Sequence, residues 1–292
     1  MSATAIERSN RIIRRRKQIS TVLRYGVLFA VGFVMMYPLL WMVGSSLKAD
    51  NNEIFASISI FPKEPSFQAY VDGWRGTTYP FSQFMVNTYK IVLPKVIGAV
   101  VSSVITAYGF ARFKFRGRNL LFAMLMSMLF LPQVVLNIPQ YLLFVKLKWV
   151  NTYKPFIIPA FFASEPYFVF LLVQFMKSLS REIEEAAEID GCNSFGRLLY
   201  VTVPMVSPAI LSVALFQFIW ASNDFQGPLI YINTVAKYPA TLGLKLIQDA
   251  ETGIEWNKVL ALSVVSIVPT LTVFFLAQRQ FIDGIAMGGV KG

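Results

Sequence analysis

The stretch REIEEAAEIDGCNSFGRLLYVTVP, Arg181–Pro204, holds five acidic side chains within nine consecutive positions. These are Glu182, Glu184, Glu185, Glu188 and Asp190. The rest of the chain has the opposite character, since 55% of all residues are hydrophobic and the formal net charge is +11. We call residues 181–204 the acidic segment, and its charge indicates a specific role for this part of the chain.

The composition indicates an integral membrane protein. Only 15% of the residues are charged, whereas a soluble domain carries about 25%. Aromatic residues make up another 15%, and the apolar residues form long runs. The chain contains no histidine, which excludes an imidazole base or metal ligand, and its single cysteine, Cys192, excludes an internal disulfide or a Cys-rich metal site.

The apolar runs predict an all-α protein with six transmembrane helices. Tyr25–Leu47 carries no charge over 23 residues, which is enough to cross a hydrocarbon core about 30 Å thick at about 1.5 Å per residue. This run is longer than the apolar core of a signal peptide, so we predict an uncleaved first helix. The predicted spans lie at about residues 25–47, 86–111, 119–141, 155–176, 204–223 and 259–278.

The basic residues predict the orientation. Seven Lys and Arg residues precede the first span and four more lie between residues 112 and 118, as expected on the cytoplasmic side. This distribution favours a membrane flank over a nucleic-acid-binding arm. We therefore predict a basic cytoplasmic segment at residues 1–24, a single six-helix domain at 25–292, cytoplasmic termini, and a cytoplasmic loop at 178–203.

The acidic segment then lies in the cytoplasm, where its charge runs against the positive-inside trend. As a helix, it places Ile183, Ala186, Ala187 and Asp190 at i, i+3, i+4 and i+7 on one face, which the two alanines make narrow. The flanking carboxylates suit arginine side chains of a partner. Gly191 suits the end of this helix and Pro204 the first turn of the next. The pattern predicts a docking element for a basic protein.

These residues resemble the cytoplasmic motif of binding-protein-dependent ABC importer permeases: EAA, three residues, Gly, nine residues, and Ile-x-Leu-Pro. Glu185, Ala186, Ala187, Gly191 and Pro204 have the matching spacing, with valines at 201 and 203. Further segments resemble the carbohydrate branch and its maltose-transporter-type second permease: TAYGFARFKFRGR (106–118), LPQVVLNIPQYLL (131–143), NDFQGPLI (223–230) and QRQFIDGIAMGGVKG (278–292). The chain departs from the family at Cys192, where alanine is usual, and at Ser222, where tryptophan commonly precedes the asparagine.

The resemblance implies a type I ABC importer permease that forms half of the pathway for a sugar or oligosaccharide. Its coupling helix would dock in a groove of a cytoplasmic ATPase through Glu182, Glu185, Ala186, Ala187, Glu188, Asp190, Gly191 and Pro204. The implied partners are a second homologous permease in a heterodimer, an ABC ATPase dimer and an extracytoplasmic solute-binding protein, at a bacterial inner membrane.

The chain itself is not expected to be an enzyme or to bind a cofactor. It lacks a GxxxxGK[ST] phosphate-binding loop, so ATP and Mg are expected on the partner ATPase. From the coupling role we predict that a bulky residue at Gly191 abolishes uptake and leaves the protein in the membrane.

Candidate pathway residues are the amides Gln133, Asn137 and Gln140, together with Asn223 and Asp224 at the end of the fifth span. The amides suit sugar hydroxyls, but they also suit backbone groups freed by nearby prolines, and both interpretations stay open. Glu165 is an acid inside the fourth predicted span, where an ionisable residue is a functional candidate or pairs with a lysine.

The main alternative is an ion-coupled secondary transporter. Such a protein would carry acids in several spans and show repeated halves, whereas Glu165 is the one acid well inside a predicted span and no repeat is visible. The sequence leaves open whether the sugar is neutral or acidic.

Overall fold

The computed structural model describes residues 3–76, 78–249 and 254–289, with side chains described from Lys17 to Gln278 within those ranges. Every regular element in these ranges is helical and none is a strand, which confirms the all-α prediction. The basic side chains before Lys17 and the side chains of the tail segment after Gln278 lie outside the described residues, as do residues 290–292 entirely.

The chain divides into two compact units, Met1–Asp72 with Glu255–Val264, and Gly73–Ile254 with Val265–Gly292. The α-helices are, in chain order, α1 (Ala3–Ser46), α2 (Asn51–Ala56), α3 (Gln68–Arg75), α4 (Phe81–Arg112), α5 (Arg118–Ser127), α6 (Gln133–Lys146), α7 (Lys154–Ile157), α8 (Pro166–Ser178), α9 (Arg181–Ile189), α10 (Ser194–Gly196), α11 (Val203–Met205), α12 (Ser207–Ser222), α13 (Gln226–Tyr231), α14 (Ala240–Gln248) and α15 (Trp256–Gly289). Short 3-10 helices lie at Met128–Phe130, Pro159–Phe162 and Val235–Lys237, and a π-helix at Arg197–Thr202.

The described residues contain four to six helices that are long and apolar enough to cross a membrane. Four are single candidate spans, at Lys17–Ser46, Phe81–Arg112, Lys154–Ser178 and Trp256–Gln278, and the third of these combines α7, the 3-10 helix Pro159–Phe162 and α8. Two more arise if each of two bent pairs counts as one span, Arg118–Phe130 with Gln133–Lys146 and Ser194–Met205 with Ser207–Ser222. The chain is therefore a multi-pass membrane protein.

The two bent pairs lie where the sequence predicts the spans at 119–141 and 204–223. Their helices meet at 106° and 79° respectively. Pro132 stands at the first break and Pro208 just after the second. A proline lacks the backbone N–H and disfavours the helical conformation of the residue before it, so a continuous helix ends there. Pro204, expected at the start of the fifth span, instead lies within α11, before the bend.

The core of the second unit lies where α4, α8 and α12 pack together. Fully buried small residues of α4, such as Ala99 and Ala107, face fully buried Phe168 and Leu172 of α8 and Ala209 of α12. Small side chains allow the backbones of membrane helices to approach closely. This bundle supports both the acidic segment at one end of α4 and a cavity along its side.

In the first unit, Lys48 lies two residues after the end of α1 and is almost fully buried. Its Nζ donates to the carbonyl oxygens of Glu53 and Ser57, each at 3.3 Å, so the buried ammonium group has polar partners. The Tyr37 hydroxyl donates to the Ile58 carbonyl at 2.6 Å. These bonds fold residues 48–58 back against the end of the first helix.

Candidate functional site

The acidic segment begins as a capped helix. Ser180 is the N-cap of α9, and its hydroxyl oxygen accepts a hydrogen bond from the Glu182 backbone N–H at 3.3 Å. Glu182 and Glu184 lie in the first turn, where carboxylates stabilise the positive end of the helix dipole. The helix predicted at Arg181–Asp190 is present as α9, which ends at Ile189.

The helix ends in a tight turn that requires a glycine. Gly191 has a φ of +85°; its N–H donates to the Glu188 carbonyl at 3.0 Å, and the Cys192 N–H donates to the Ala187 carbonyl at 2.9 Å. This pair of bonds is the Schellman motif. A Cβ at Gly191 would meet no atom within 4 Å, so the left-handed backbone, not lack of space, favours glycine here.

The Cys192 side chain packs inside this turn. A Cβ added to Gly196 would lie 2.7 Å from the Cys192 Sγ, so the thiol lies directly against the backbone of α10. The Asn193 side chain caps α10, since its Oδ1 accepts from the Gly196 N–H at 2.7 Å. The cysteine therefore fills a position where the turn and the following helix meet closely.

After α10 the acidic segment continues as the π-helix Arg197–Thr202. The Val203 N–H donates to the Leu198 carbonyl, five residues earlier, and Pro204 follows with no N–H to donate. Because Pro204 lacks a backbone N–H, the ordinary α-helical hydrogen bond cannot form at this position, which is compatible with the wider turn of the π-helix. Such π-helical turns are frequent at functional sites.

One acid of the segment points into the protein. The Arg112 Nε donates to the Glu184 Oε1 at 2.8 Å, and the Thr202 hydroxyl donates to the same oxygen at 2.9 Å. The Arg112 and Glu184 side chains are only 7% and 9% exposed. Glu184 is one of the five acids of the segment but was not among the predicted site residues. Its partner Arg112 lies 72 residues away, and no local pattern identifies this contact.

The other acids remain at the surface. Glu182, Glu185, Ala186, Asp190 and Gly191 are exposed, as is Pro204; Ala187 is half-buried. Glu188 is exposed and forms an ion pair with Arg197. Large apolar side chains are exposed beside them, with Ile183, Ile189, Phe195 and Tyr200 at 45–87% exposure. The segment thus presents a mixed acidic and apolar surface that fits a partner with basic and apolar groups.

A cavity of about 480 Å³ lies elsewhere in the second unit. It brings together four of the five predicted pathway residues, Gln133, Asn137, Gln140 and Asp224. The fifth, Asn223, does not line it, because its amide donates to the Ile219 carbonyl at 2.8 Å at the end of α12. Glu165 also lines the cavity. Other polar lining residues were not among the predicted site residues, namely Lys95, Ser164, Gln226 and Tyr231.

The polar groups of this cavity are held in place by their neighbours. The Asp224 Oδ1 accepts from the Gly227 N–H at 2.9 Å, and its carbonyl accepts from the Thr241 hydroxyl at 3.0 Å. The Tyr231 hydroxyl is buried and has no hydrogen-bond partner among the described residues. Burial, and then the Asp224 carboxylate, raise the pKa of the Tyr231 phenol. A tyrosine hydroxyl is neutral at physiological pH even without such a shift, so this group is available to donate a hydrogen bond.

The comparisons with known proteins identify the family. The family model described as "Binding-protein-dependent transport system inner membrane component" matches residues 99–283, which include the whole acidic segment. The chain belongs to this family. It is a permease subunit of a binding-protein-dependent ABC importer, which confirms the family resemblance. Members of this family are transport components and not enzymes. The alternative of an ion-coupled secondary transporter is therefore set aside.

Relatives and solved structures agree with this assignment. The chain is 30% identical to the probable ABC transporter permease protein YurM of Bacillus subtilis (strain 168), covering 96% of this chain and 91% of the relative. It is 28% identical to the sulfoquinovosyl glycerol transport system permease protein SmoH of Agrobacterium fabrum, covering 88% and 89%. The fold matches a chain of a bacterial ABC transporter involved in the import of the acidic polysaccharide alginate, with a TM-score of 0.79, 21% identity, and coverage of 91% and 98%.

Proposed function

We propose that this permease carries a carbohydrate, a sugar or an oligosaccharide, and forms half of the pathway through which it crosses the membrane. The observation that carries the proposal is the cavity lined by Gln133, Asn137 and Gln140, because side-chain amides both donate to and accept from sugar hydroxyls. The free Tyr231 hydroxyl adds a donor. The names of relatives point the same way, with permeases for arabinooligosaccharides and galactooligosaccharides at 29% and 28% identity.

The acidic segment is the part that couples transport to ATP hydrolysis. Its exposed carboxylates and apolar side chains dock in a groove of a cytoplasmic ABC ATPase, which binds ATP and Mg; the permease itself binds no cofactor. Closure of the ATPase dimer pushes the segment, and the spans switch the cavity between the two sides of the membrane. Glu182, Glu185, Ala186, Ala187, Glu188, Asp190, Gly191 and Pro204 carry this contact.

The assembly comprises this chain and a second homologous permease as a heterodimer, two ATPase subunits and an extracytoplasmic solute-binding protein. Each bent pair forms one span, which gives six spans in a bacterial inner membrane with both termini in the cytoplasm. The concentration of Lys and Arg before the first span and at residues 112–118 supports this orientation. It places the acidic segment on the side where ATP is available.

Charge reversal in the acidic segment tests the docking proposal. In cells that express the whole assembly, Glu185→Arg is expected to leave the permease in the membrane and to lower the amount of co-purified ATPase about tenfold or more, since the introduced arginine repels a basic groove. Glu64→Arg reverses an exposed acid outside the segment and serves as the control. Full co-purification with Glu185→Arg, or uptake by the permease alone on an ion gradient, contradicts the proposal.

Alanine substitutions in the cavity test the carbohydrate proposal. Asn137→Ala and Gln140→Ala each remove a hydrogen-bonding group, and each is expected to weaken the apparent affinity for transported oligosaccharides about tenfold. Asn223→Ala is the control, because this amide does not line the cavity. The measurement is ATPase stimulation of the reconstituted assembly by a panel of oligosaccharides with their binding protein. An assembly that no oligosaccharide stimulates, but another class of solute does, excludes the proposed substrate class.

A further inference from the structure

Three elements of the second unit meet at one carboxylate oxygen. Arg112 is the last residue of α4, Glu184 lies in the first turn of α9, and Thr202 ends the π-helix. Arg112 and Thr202 both donate to the Glu184 Oε1, at 2.8 and 2.9 Å. We call these three residues the Glu184 junction.

The junction is shielded from water. The residues Glu184 and Thr202 are 6% and 0% exposed, and the Arg112 side chain is 7% exposed. In such an environment an ion pair is screened little, and water cannot replace a lost partner. The Arg112 Nη2 is also buried and has no hydrogen-bond partner within the described ranges, so Glu184 is the principal counter-charge that holds this guanidinium group.

The second ion pair of the acidic segment is of a different kind. Glu188 contacts Arg197, but the Glu188 side chain is 62% exposed and both residues belong to the segment itself. An exposed pair contributes little and is screened by salt, and this one makes no connection to a membrane span. The Glu184 junction is the polar connection that the structure shows between α9 and α4.

Both elements that meet α9 at the junction lead to the cavity. Lys95 of α4 lines the cavity, and it lies about 25 Å from Arg112 at 1.5 Å per residue along a single helix. Beyond Thr202 the chain enters α11 and then α12, which ends at Ser222, two residues before the cavity residue Asp224. A displacement of Glu184 therefore has one continuous helical route to the cavity, along α4, and a second route along the chain, which bends by 79° between α11 and α12.

We propose that Glu184, held by Arg112 and Thr202, is the positioning residue that transmits the movement of the acidic segment to α4 and α12. The proposal rests on the proposed function, since it presumes that an ATPase moves the segment. Glu184 does not contact the ATPase; it acts through the two helices that it joins. The exposed acids of the segment bind the ATPase, and the buried Glu184 causes α4 and α12 to move together with the segment.

The experiment uses the whole assembly in proteoliposomes with its binding protein, and it measures both ATP hydrolysis and oligosaccharide uptake. Glu184→Ala and Arg112→Gln are expected to keep the ATPase bound and basal hydrolysis within about twofold, because the exposed surface is unchanged. Uptake per ATP is expected to fall about tenfold, a usual size for coupling between linked sites. The double variant is expected to be no worse than either single variant, because both remove the same connection.

Conservative variants keep the proposal testable if a buried unpaired charge lowers the yield of the protein. Thr202→Val removes one hydrogen bond without unpairing a charge, and it is expected to lower uptake per ATP, whereas Thr202→Ser keeps the hydroxyl and is expected to restore it. Arg116→Gln is the matched control, since this arginine is exposed and lies four residues from Arg112.

Unchanged uptake per ATP in assembled Glu184→Ala and Thr202→Val complexes overturns the inference and leaves the proposed function standing. A loss of uptake that only follows the amount of assembled complex, with a constant ratio to ATP hydrolysed, also overturns it, because the junction is then only structural. If the unsubstituted chain does not assemble with an ABC ATPase, the proposed function fails first and this inference with it.

Discussion

Substitution of Gly191 measures how far coupling depends on the turn that ends α9. Gly191 has a φ of +85°, and a Cβ there would meet no atom within 4 Å. A side chain at this position therefore adds backbone strain without a steric clash. The substitution therefore tests the effect of the backbone geometry of the turn separately from the effect of its packing.

The strain has a known size. A residue with a Cβ in the left-handed conformation costs about 1–2 kcal/mol relative to glycine, and such a cost changes the equilibrium between the native and the altered turn by a factor of about 5–30. Valine is expected to have the largest effect because it is β-branched, and asparagine the smallest because it tolerates the left-handed region.

The assay is oligosaccharide uptake by membranes that contain matched amounts of assembled complex. We expect Gly191→Asn to retain at least half of the uptake, Gly191→Ala to lose several-fold, and Gly191→Val to lose the most, about 5–30-fold. The permease is expected to stay in the membrane in every case, because the turn lies outside the apolar helices. This refines the sequence-based expectation that any bulky residue abolishes uptake.

Gly117 provides a matched control. It has the same φ of +85° and equally open space around its Cβ position, but it lies in the loop between α4 and α5. Gly117→Val therefore introduces the same strain at a residue that does not belong to the acidic segment, and uptake per assembled complex is expected to stay near that of the unsubstituted protein. Unaltered uptake with Gly191→Val, or equal losses with Gly191→Asn and Gly191→Val, refutes the argument from backbone geometry.

Three further predictions concern the supports of the site. A Cβ at Gly98 would lie 2.7 Å from the Phe161 ring, so Gly98→Ala is expected to destabilise the helix bundle by about 1–3 kcal/mol. Gly109 lies in open space on the same helix, so Gly109→Ala is expected to be neutral or stabilising by about 0.5–1 kcal/mol. Thermal unfolding of the two variants in detergent compares these effects. The buried Asn87 amide donates to the carbonyls of Ala236 and Tyr238, so Asn87→Ala is expected to cost about 1–3 kcal/mol in the same measurement, and an unchanged melting temperature contradicts this. Ser180→Ala removes the cap of α9 at a cost of about 0.5–2 kcal/mol; faster hydrogen exchange of the amides of residues 182–189 is expected, and Ser180→Asp should restore their protection.

Local features of the acidic segment were predictable because they depend on residues close in sequence. The helix at Arg181–Ile189, its end at Gly191 and the cap at Asn193 each involve groups no more than five residues apart. Capping and left-handed turns need only the right side chain or a glycine at the right place. The spacing of the motif also indicated the family, and the match of the family model to residues 99–283 confirmed it.

Features that depend on distant residues were not predictable in the same way. Pro132 marks where the helix of the third apolar run ends, but the 106° angle between the two halves is set by tertiary packing. The polar residues of the cavity come from α4, α6 and the segments around residues 165 and 226, and no periodicity in one segment places Lys95 opposite Gln140. Four of the five residues predicted for the pathway line this cavity, and the sequence draws attention to them because amides and acids are rare in apolar runs.

Glu184 and Glu185 show why a charge run cannot be interpreted from sequence as one feature. The two residues are adjacent, but successive positions on a helix point about 100° apart, so one side chain is directed inward and the other outward. Inward, the carboxylate meets a guanidinium group and a hydroxyl that remove the cost of burial. Outward, a carboxylate keeps its charge available to a partner. In the proposed mechanism the segment binds a moving subunit and also pulls on its own spans, so it needs acids of both kinds, and a single helical turn provides them.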